Sequence, residues 1–366
     1  MKTRQQSTLI LLLILVFMSL QFQSCDLFDS DSDDSEDGLN WITGITSPVS
    51  KDSIYVSIDG NDSSDGKSVN NPLKTLGAAF SKVHPGGRIF ILGGTYKEGL
   101  GLQKFGSSAD TITIEGITGS VILDGENERT IGIYAEDCHN LVFKNITIQN
   151  YTDVGLAVST CNGLTIQNMT VKNNGHAVKL TDWEFEGYGI HVDYSQNVLI
   201  EGVEALGNGP HPKSASNIVL GTGINTYGNE NVIIRDNSSH DNTGGGLLIE
   251  DSDHVLAEGN ELYGNDGDAS VDGWWDAGLW LDGGSDVILK NNHCYNNIGA
   301  GIEVSDEDRQ SPTGYILENN ICTENTFGIF IWNFGSSTWP DSSIITSISN
   351  QFSNNVQQDI WIVDWF

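Results

Sequence analysis

Residues 243–265 read TGGGLLIEDSDHVLAEGNELYGN, and residues 276–297 read DAGLWLDGGSDVILKNNHCYNN. Both stretches contain a glycine, alternating apolar residues, a polar turn, a second apolar run and a final asparagine. Aligning this pattern along the chain places its glycine at positions 132, 155, 189, 223, 246, 278, 301 and 328. The intervals are 23, 34, 34, 23, 32, 23 and 27 residues, so a 23-residue unit recurs with insertions. Self-similarity at such a period indicates a solenoid.

Each unit reads as three short strands without a helical period, as in GIHV at 189–192 followed by NVLI at 197–200. Three strands per unit predict an all-β fold, a right-handed parallel β-helix with 23 residues per basic coil. Because side chains alternate along a strand, Leu279 and Leu281 are expected to face the interior, and Trp280 and Asp282 to face outward.

Asparagines and cysteines recur at fixed places in the unit. Six asparagines fall at its second turn, where stacked amides can satisfy inward-facing backbone groups: Asn145, Asn168, Asn237, Asn260, Asn292 and Asn320. Cys138 and Cys161 occupy matching positions, as do Cys294 and Cys322. Parallel Cβ vectors hold stacked residues farther apart than a disulfide prefers, so stacked free thiols are favoured over disulfides.

The region ahead of the repeats has a different pattern. Between residues 55 and 99 it contains a strand, a Gly/Asp loop, a short helix near Leu76 to Val83, a PGG turn and a GGTYKE strand. This region resembles the N-terminal module of pectate-lyase-like β-helix proteins, and its helix can cover the open apolar end of a solenoid. The resemblance covers residues 53–366, which we expect to form one β-helix domain. It implies no particular reaction, because the superfamily includes lyases, hydrolases, epimerases and non-enzymes.

The first residues resemble a bacterial lipoprotein signal. An apolar run from Leu9 to Phe22 follows Lys2 and Arg4 and ends before Cys25. The resemblance implies that residues 1–24 are a signal peptide and that Cys25 is lipidated. A transmembrane anchor is the alternative, although the run is short for a membrane span.

An acidic segment follows this cysteine. Residues 26–37 read DLFDSDSDDSED, and we expect residues 25–52 to be a disordered tether. An acidic tract at this place also resembles a surface-export signal of some Gram-negative lineages. It implies a lipid-anchored protein of the outer membrane that is exposed at the cell surface.

The formal net charge is −32, from 49 acidic and 17 basic residues. Such a charge disfavours nucleic acid and anionic membrane surfaces as partners of the domain. A polyanionic substrate would need a bound cation to offset it. We expect a monomer.

The insertions flank the outer surface of the first strand of each unit. They span residues 173–189, 208–223, 265–278, 305–314 and 332–343, and they predict a walled groove. Two outward columns line it: Tyr134, Ala157, His191, Asn225, Leu248, Trp280, Glu303 and Phe330, beside Glu136, Ser159, Asp193, Tyr227, Glu250, Asp282, Ser305 and Trp332. Aromatic rings beside carboxylates suit sugar rings and their hydroxyls. The alternative is that the inserted loops cover the aromatics as a secondary core.

Three carboxylates are the candidate catalytic residues: Glu250, Asp282 and Glu303. Glu250 and Asp282 lie one rung apart, about 5 Å between Cα atoms. Like charges this close favour either a retained proton or a bound metal ion. A protonated acid beside an ionised carboxylate is what glycosidic cleavage requires, so we assign Asp282 as base or nucleophile and Glu303 as acid. Candidate sugar contacts are Trp280, Trp332, Phe330, Tyr227, His191, Asp193, Trp274 and Trp275.

Other functions use the same groove. Asp272 and Asp276, in an oxygen-rich loop, are candidate ligands for Ca²⁺. A Ca²⁺-dependent lyase acting on a polyuronate would also need a base, for which the candidates are Lys179, His191, His211, Lys213 and Arg309. A non-catalytic glycan-binding protein would use only the aromatics and hydrogen-bond acceptors. The carboxylate cluster favours hydrolysis of a polysaccharide over these alternatives.

Overall fold

The computed structural model describes residues 40–43, 51–176, 184–210, 218–267, 276–306, 313–332 and 345–363. In these ranges the chain winds into a parallel β-helix with three sides, and every strand pairing between coils is parallel. The predicted all-β solenoid is confirmed. Among the described residues, no helix has the length and apolar composition needed to cross a membrane.

One side of the solenoid is a sheet of eleven strands, here called the first sheet. Its strands, in spatial order, are β1 (Asn40–Thr43), β4 (Leu100–Gln103), β6 (Ile131–Glu136), β9 (Val154–Ser159), β13 (Tyr188–Asp193), β17 (Ile224–Tyr227), β20 (Leu247–Glu250), β23 (Ala277–Asp282), β26 (Ala300–Ser305), β29 (Phe327–Trp332) and β32 (Gln358–Val363).

The other two sides are joined by long strands near the N-terminal end. The second side contains β2 (Ser53–Val56), β3 (Arg88–Tyr96), β5 (Ile112–Asp124), β7 (His139–Lys144), β10 (Asn162–Gln167), β14 (Gln196–Glu201), β18 (Glu230–Arg235), β21 (Asp253–Glu258), β24 (Val287–Lys290), β27 (Tyr315–Glu318) and β30 (Ile345–Ile348). The third side contains the end of β5, then β8 (Thr147–Gln149), β11 (Thr170–Lys172), β15 (Glu204–Leu206), β19 (Ser238–His240), β22 (Glu261–Tyr263), β25 (His293–Tyr295), β28 (Ile321–Thr323) and β31 (Gln351–Ser353). A separate two-stranded sheet pairs β12 (Glu184–Glu186) with β16 (Ile218–Leu220).

A short helix covers the N-terminal end of the core, as predicted. Helix α1 (Leu76–Phe80) begins after Thr75, whose hydroxyl accepts a hydrogen bond from the backbone N–H of Ala78. It buries Leu76, Ala79 and Phe80, and the Phe80 ring meets Phe105 edge-on at 5.6 Å. The apolar end of the solenoid is therefore shielded from water at this point.

Four residues of the expected tether form a strand. Strand β1 pairs in parallel with β4, with Asn40 opposite Leu100 and Thr43 opposite Gln103. The expectation of an unpacked segment through residue 52 is therefore wrong for these four residues. Residues 1–39, including the proposed lipidation site Cys25, lie outside the described part of the chain.

A ladder of buried asparagines explains the repeating glycine. Asn265 donates to the Ser239 carbonyl oxygen at 3.0 Å and to Asn297 Oδ1 at 3.1 Å, and the pattern repeats coil by coil. The ladder runs through Asn174, Asn208, Asn242, Asn265, Asn297, Asn325 and Asn355. A Cβ at Gly246 would lie 2.7 Å from Asn265 Nδ2. The glycine is required because the ladder amide occupies that space.

The asparagine ladder predicted at the second turn is partly correct. Asn237, Asn260, Asn292 and Asn320 stack as expected, and Asn350 extends the stack. The assignment of Asn145 and Asn168 is wrong. These two residues have φ of 58° and 51°, so they occupy the left-handed turn position one residue before the ladder. Asparagine tolerates this conformation better than most residues, which gives it two roles in adjacent positions.

The cysteines stack as predicted. Cys294 lies opposite Cys322, and the backbone N–H of Cys138 lies 3.2 Å from Cys161 Sγ. All four thiols are free and buried. The neighbouring Cys138 thiol, together with burial, raises the pKa of Cys161, and burial raises the pKa of Cys322. These thiols are small core residues.

Candidate functional site

The outward columns of the first sheet have the predicted register. Trp280 lies opposite Leu248 and Glu303, and Asp282 lies opposite Glu250 and Ser305. The alternating residues Leu279 and Leu281 are fully buried in the core. The strand alternation therefore places the candidate carboxylates on one outer surface, which we call the first-sheet face.

Each of the two central carboxylates accepts a hydrogen bond from a neighbouring coil. Asp282 Oδ1 accepts from Ser305 Oγ at 2.6 Å, and Ser305 Oγ in turn accepts from Trp280 Nε1 at 2.8 Å. Glu303 Oε1 accepts from Trp332 Nε1 at 2.6 Å. Charge-assisted hydrogen bonds of this kind fix the carboxylate orientations.

The two carboxylates are more buried than a groove-facing residue would be. Asp282 is 6% exposed and Glu303 is 2% exposed, whereas Glu250 is half-buried. Diagonal positions on neighbouring strands put the Cα atoms of Asp282 and Glu303 about 8 Å apart. Both side chains leave the same side of the sheet, so one small group could lie between them.

The aromatic residues beside them form an apolar cluster. Trp280 is 7% exposed and Phe330 is 5% exposed, and they pack with Phe327. Trp361 stacks on Phe330 with ring centroids 4.7 Å apart. The expectation that Trp280 and Phe330 stand exposed is wrong, because the neighbouring rungs bring further aromatic rings against them. These two residues belong to a secondary core formed by strand residues, whereas most of the inserted loops of the alternative interpretation lie outside the described residues. Trp332 stays half-buried at the margin.

A second polar cluster lies on the same face toward the N-terminus. Asn225 Nδ2 donates to His191 Nδ1 at 3.1 Å, which places the proton of a neutral imidazole on Nε2. His191 Nε2 lies 3.7 Å from Asp193 Oδ2. The Tyr188 ring lies 5.0 Å from the His191 ring, and the Tyr188 hydroxyl donates to Glu186.

Three polar atoms of this cluster are buried without a hydrogen-bond partner among the described residues: His191 Nε2, Asp193 Oδ1 and Asn225 Oδ1. Unsatisfied buried polar atoms are uncommon and mark a functional site or an ordered water. The sequence assigned His191 and Asp193 to sugar binding, but it gave Asn225, Glu186 and Tyr188 no role. The pairing of Asn225 with His191 follows from the coil register.

Negative charge on the first-sheet face affects its tyrosines. Burial, together with the charges of Glu136 and Asp193, raises the pKa of Tyr134 well above its usual value. Burial and the charge of Asp282 do the same for Tyr315 of the second side, whose hydroxyl donates to the Gly283 carbonyl oxygen at 2.6 Å. Tyr227 of the first-sheet face is 8% exposed and meets Tyr194 edge-on at 5.1 Å.

The Ca²⁺ expectation stays a prediction, because Asp272 lies outside the described residues. Asp276 is 2% exposed, and no group of three or more His, Cys, Asp or Glu residues in the described ranges is arranged to hold a metal ion. Other candidates lie outside those ranges: Asp272, Trp274, Trp275, Lys179, His211, Lys213 and Arg309.

Comparison with known proteins agrees with this architecture. The family model described as "Right handed beta helix region" matches residues 103–211 and 184–355. The chain belongs to this right-handed β-helix family. A Bacillus subtilis (strain 168) protein, "Uncharacterized protein YwoF", is 26% identical over 333 residues, which cover 84% of this chain and 70% of that protein.

Solved structures share the fold at low identity. The crystal structure of pectate lyase Pel9A superposes with a TM-score of 0.60 and 18% identity, covering 84% of this chain and 80% of that one. The A-module of mannuronan C-5 epimerase AlgE6 from Azotobacter vinelandii gives a TM-score of 0.48 and 15% identity, covering 76% of this chain and 90% of that one. The likeness to the pectate lyase shows the fold, a right-handed parallel β-helix, in agreement with the family match.

Proposed function

We propose that this protein binds a polysaccharide along the first-sheet face and hydrolyses its glycosidic bonds. The observation that carries the proposal is the pair Asp282 and Glu303, two carboxyl groups on neighbouring coils. Asp282 accepts a hydrogen bond from Ser305, and Glu303 accepts one from Trp332. Glycoside hydrolysis needs one carboxyl group as acid and a second as base or nucleophile.

The surroundings support different roles for the two groups. Asp282 lies in the more polar column, between Glu250 and Ser305, and is assigned the role of base or nucleophile. Glu303 lies between Trp280 and Phe330 in its column, and burial among aromatic rings favours the neutral acid. In the proposed reaction Glu303 protonates the departing glycosidic oxygen while Asp282 activates water or attacks the sugar carbon.

The margin of the face supplies the surface that a polysaccharide would contact. Glu250 and Trp332 are half-buried beside the carboxylate pair, and Glu136 and Ser159 are half-buried toward the N-terminal end. The column that contains Glu136, Ser159, Glu250 and Trp332 therefore remains partly accessible along several coils. Known structures with this fold include a pectate lyase and a mannuronan epimerase, which supports a polysaccharide as the substrate class.

The test is a panel of neutral and uronate polysaccharides assayed in parallel for new reducing ends and for the ultraviolet absorbance of an unsaturated uronide. Hydrolysis predicts reducing ends without that absorbance. Equal gains in both signals would identify a lyase, and calcium dependence of those gains would support the Ca²⁺ alternative. Binding without either signal would identify a glycan-binding protein and overturn the proposal.

The proposed location follows from the N-terminal sequence. We propose that Cys25 carries a lipid that anchors the protein to the outer membrane, with the β-helix exposed at the cell surface. A surface location would give the first-sheet face access to polymers too large to enter the cell.

A further inference from the structure

The outer surface of the second side carries an aliphatic stripe. Its residues lie opposite one another on five consecutive coils: Leu199, Ile233, Leu256, Ile288 and Ile316. Ile233 is 38% exposed, and the other four are half-buried. Four of them line an open groove of about 660 Å³ whose rim includes Asn197, Asn231, His254 and Asp286. An aliphatic stripe that continues over five coils of an outer surface is a candidate docking surface.

A column of alternating charge runs beside the stripe. Successive coils place Glu201, Arg235, Glu258, Lys290 and Glu318 opposite one another. Arg235 pairs with Glu201 at 2.6 Å, and Lys290 pairs with Glu318 at 3.7 Å. The column is therefore nearly neutral in a chain whose net charge is −32. Electrostatic repulsion between two copies is reduced along this column, although Glu230 and Asp253 at the starts of the same strands are exposed acids.

We propose that this surface binds a second copy of the chain, with the two solenoids antiparallel and related by a two-fold axis along the strand direction. The axis passes midway between the coils of Ile233 and Leu256. Ile233 then packs on Leu256 of the other copy, and Arg235 faces the other copy's Glu258. A two-fold interface brings the same surface of both copies together, so opposite charges must face each other across the axis. The alternating signs of this column meet that requirement.

The available area is sufficient for such a dimer. Eight strands of the second side, from β7 to β30, pair in succession. With about 4.8 Å between strands and about 20 Å of strand length, the surface offers about 750 Å² per copy, close to a standard stable interface. The first-sheet face points in another direction and stays free. The dimer departs from the monomer expected from the sequence.

Charge reversal tests the contact directly. The mass of the full chain, solubilised in a non-ionic detergent, is measured by light scattering over a range of concentrations. Arg235→Glu should weaken dimerisation at least about tenfold because it sets like charges opposite each other. Adding Glu258→Arg should restore it, since the reversed pair again has opposite signs. Lys97→Glu, which removes an intramolecular pair with Glu126 outside these eight strands, is the matched control and should leave the dimer intact.

Cysteine cross-linking tests the position of the axis. Two Ile233→Cys thiols would be offset by one coil, about 5 Å along the solenoid, whereas two Ile316→Cys thiols would be offset by about 24 Å. A short bis-maleimide should therefore join copies of the first variant and not of the second, above the background of the unsubstituted chain. A monomer at every concentration, or a dimer that is indifferent to Arg235→Glu, overturns the proposal.

Discussion

At the scale of single residues, the candidate chemistry depends on which hydrogen-bond donors reach each carboxylate. Ser305 reaches Asp282 and Trp332 reaches Glu303, and each donor comes from the next coil. Residues far apart in sequence become neighbours because the register repeats. The side chains of one coil therefore fix the orientation of the acids on the preceding coil.

Glu98 provides a pH prediction at this scale. Its carboxylate accepts hydrogen bonds from the backbone N–H groups of Leu76 and Gly77 at the start of α1. Burial nevertheless raises its pKa above the ordinary value of 4.5. Because its pKa is higher in the folded protein than in the unfolded chain, the protonated carboxyl group stabilises the folded state. This contribution is fully present below pH 4.5 and is lost as the pH rises through the pKa of the folded protein.

The variant Glu98→Gln removes this titration. The free energy of unfolding of the wild type relative to the variant should therefore increase as the pH falls from 7 toward 4.5. Urea denaturation at several pH values measures the difference. A difference that stays constant, or that grows toward neutral pH, would contradict the assignment.

At the scale of elements, the asparagine ladders hold the turns between coils. Asn297 Oδ1 accepts from both the backbone and the side chain of Asn265, and its own amide donates to Leu262 and Asn325. Asn296, the adjacent residue, is exposed and has φ of 57°. Two neighbouring asparagines thus perform unrelated tasks, one as a buried amide and one as a turn residue.

This difference yields a paired prediction. Asn297→Ala should reduce the free energy of unfolding by about 3 kcal/mol, because it leaves several buried polar groups unsatisfied. Asn296→Gly should change it little, since glycine adopts the left-handed turn readily. Urea denaturation of both variants provides the measurement. Equal losses would show that the ladder contributes no more than the turn.

The repeat made the strands, their register and the outward columns predictable, because alternation depends only on local sequence. Burial was not predictable in the same way. Trp280 is enclosed by rings from neighbouring coils, including Phe330, and their packing depends on the tertiary arrangement. The Asn225–His191 pairing was implicit in the predicted column, but the burial of its polar atoms was not. The two asparagines assigned wrongly, Asn145 and Asn168, show that composition alone does not separate a ladder from a turn.

At the scale of the whole molecule, the solenoid presents surfaces of different character. The first sheet carries acids and aromatics, and the second side carries the aliphatic stripe with balanced charge. Under the two proposals, a single chain would bind a polymer on one face and a second copy of itself on a different one. The proposed lipid anchor at Cys25 would add attachment to a membrane.

The anchor leads to a prediction about location. Replacing Cys25 with Ser should prevent lipidation and release the protein from the membrane fraction, while the β-helix itself should keep its thermal stability. Fractionation followed by mass spectrometry of the N-terminal peptide measures both lipid and location. An unchanged membrane fraction with Ser at position 25 would instead favour an uncleaved anchor formed by the apolar run.

The central claim is that Asp282 and Glu303 cleave glycosidic bonds, and turnover of matched variants tests it most directly. On a polysaccharide that the wild type degrades, Asp282→Asn and Glu303→Gln should each lower the rate of reducing-end release by at least about a hundredfold, with little change in affinity for the polymer. Glu261→Gln, an exposed acid on the third side, should keep the wild-type rate. Wild-type turnover in both site variants would contradict the account and would make His191 and Asp193 the next candidate catalytic residues.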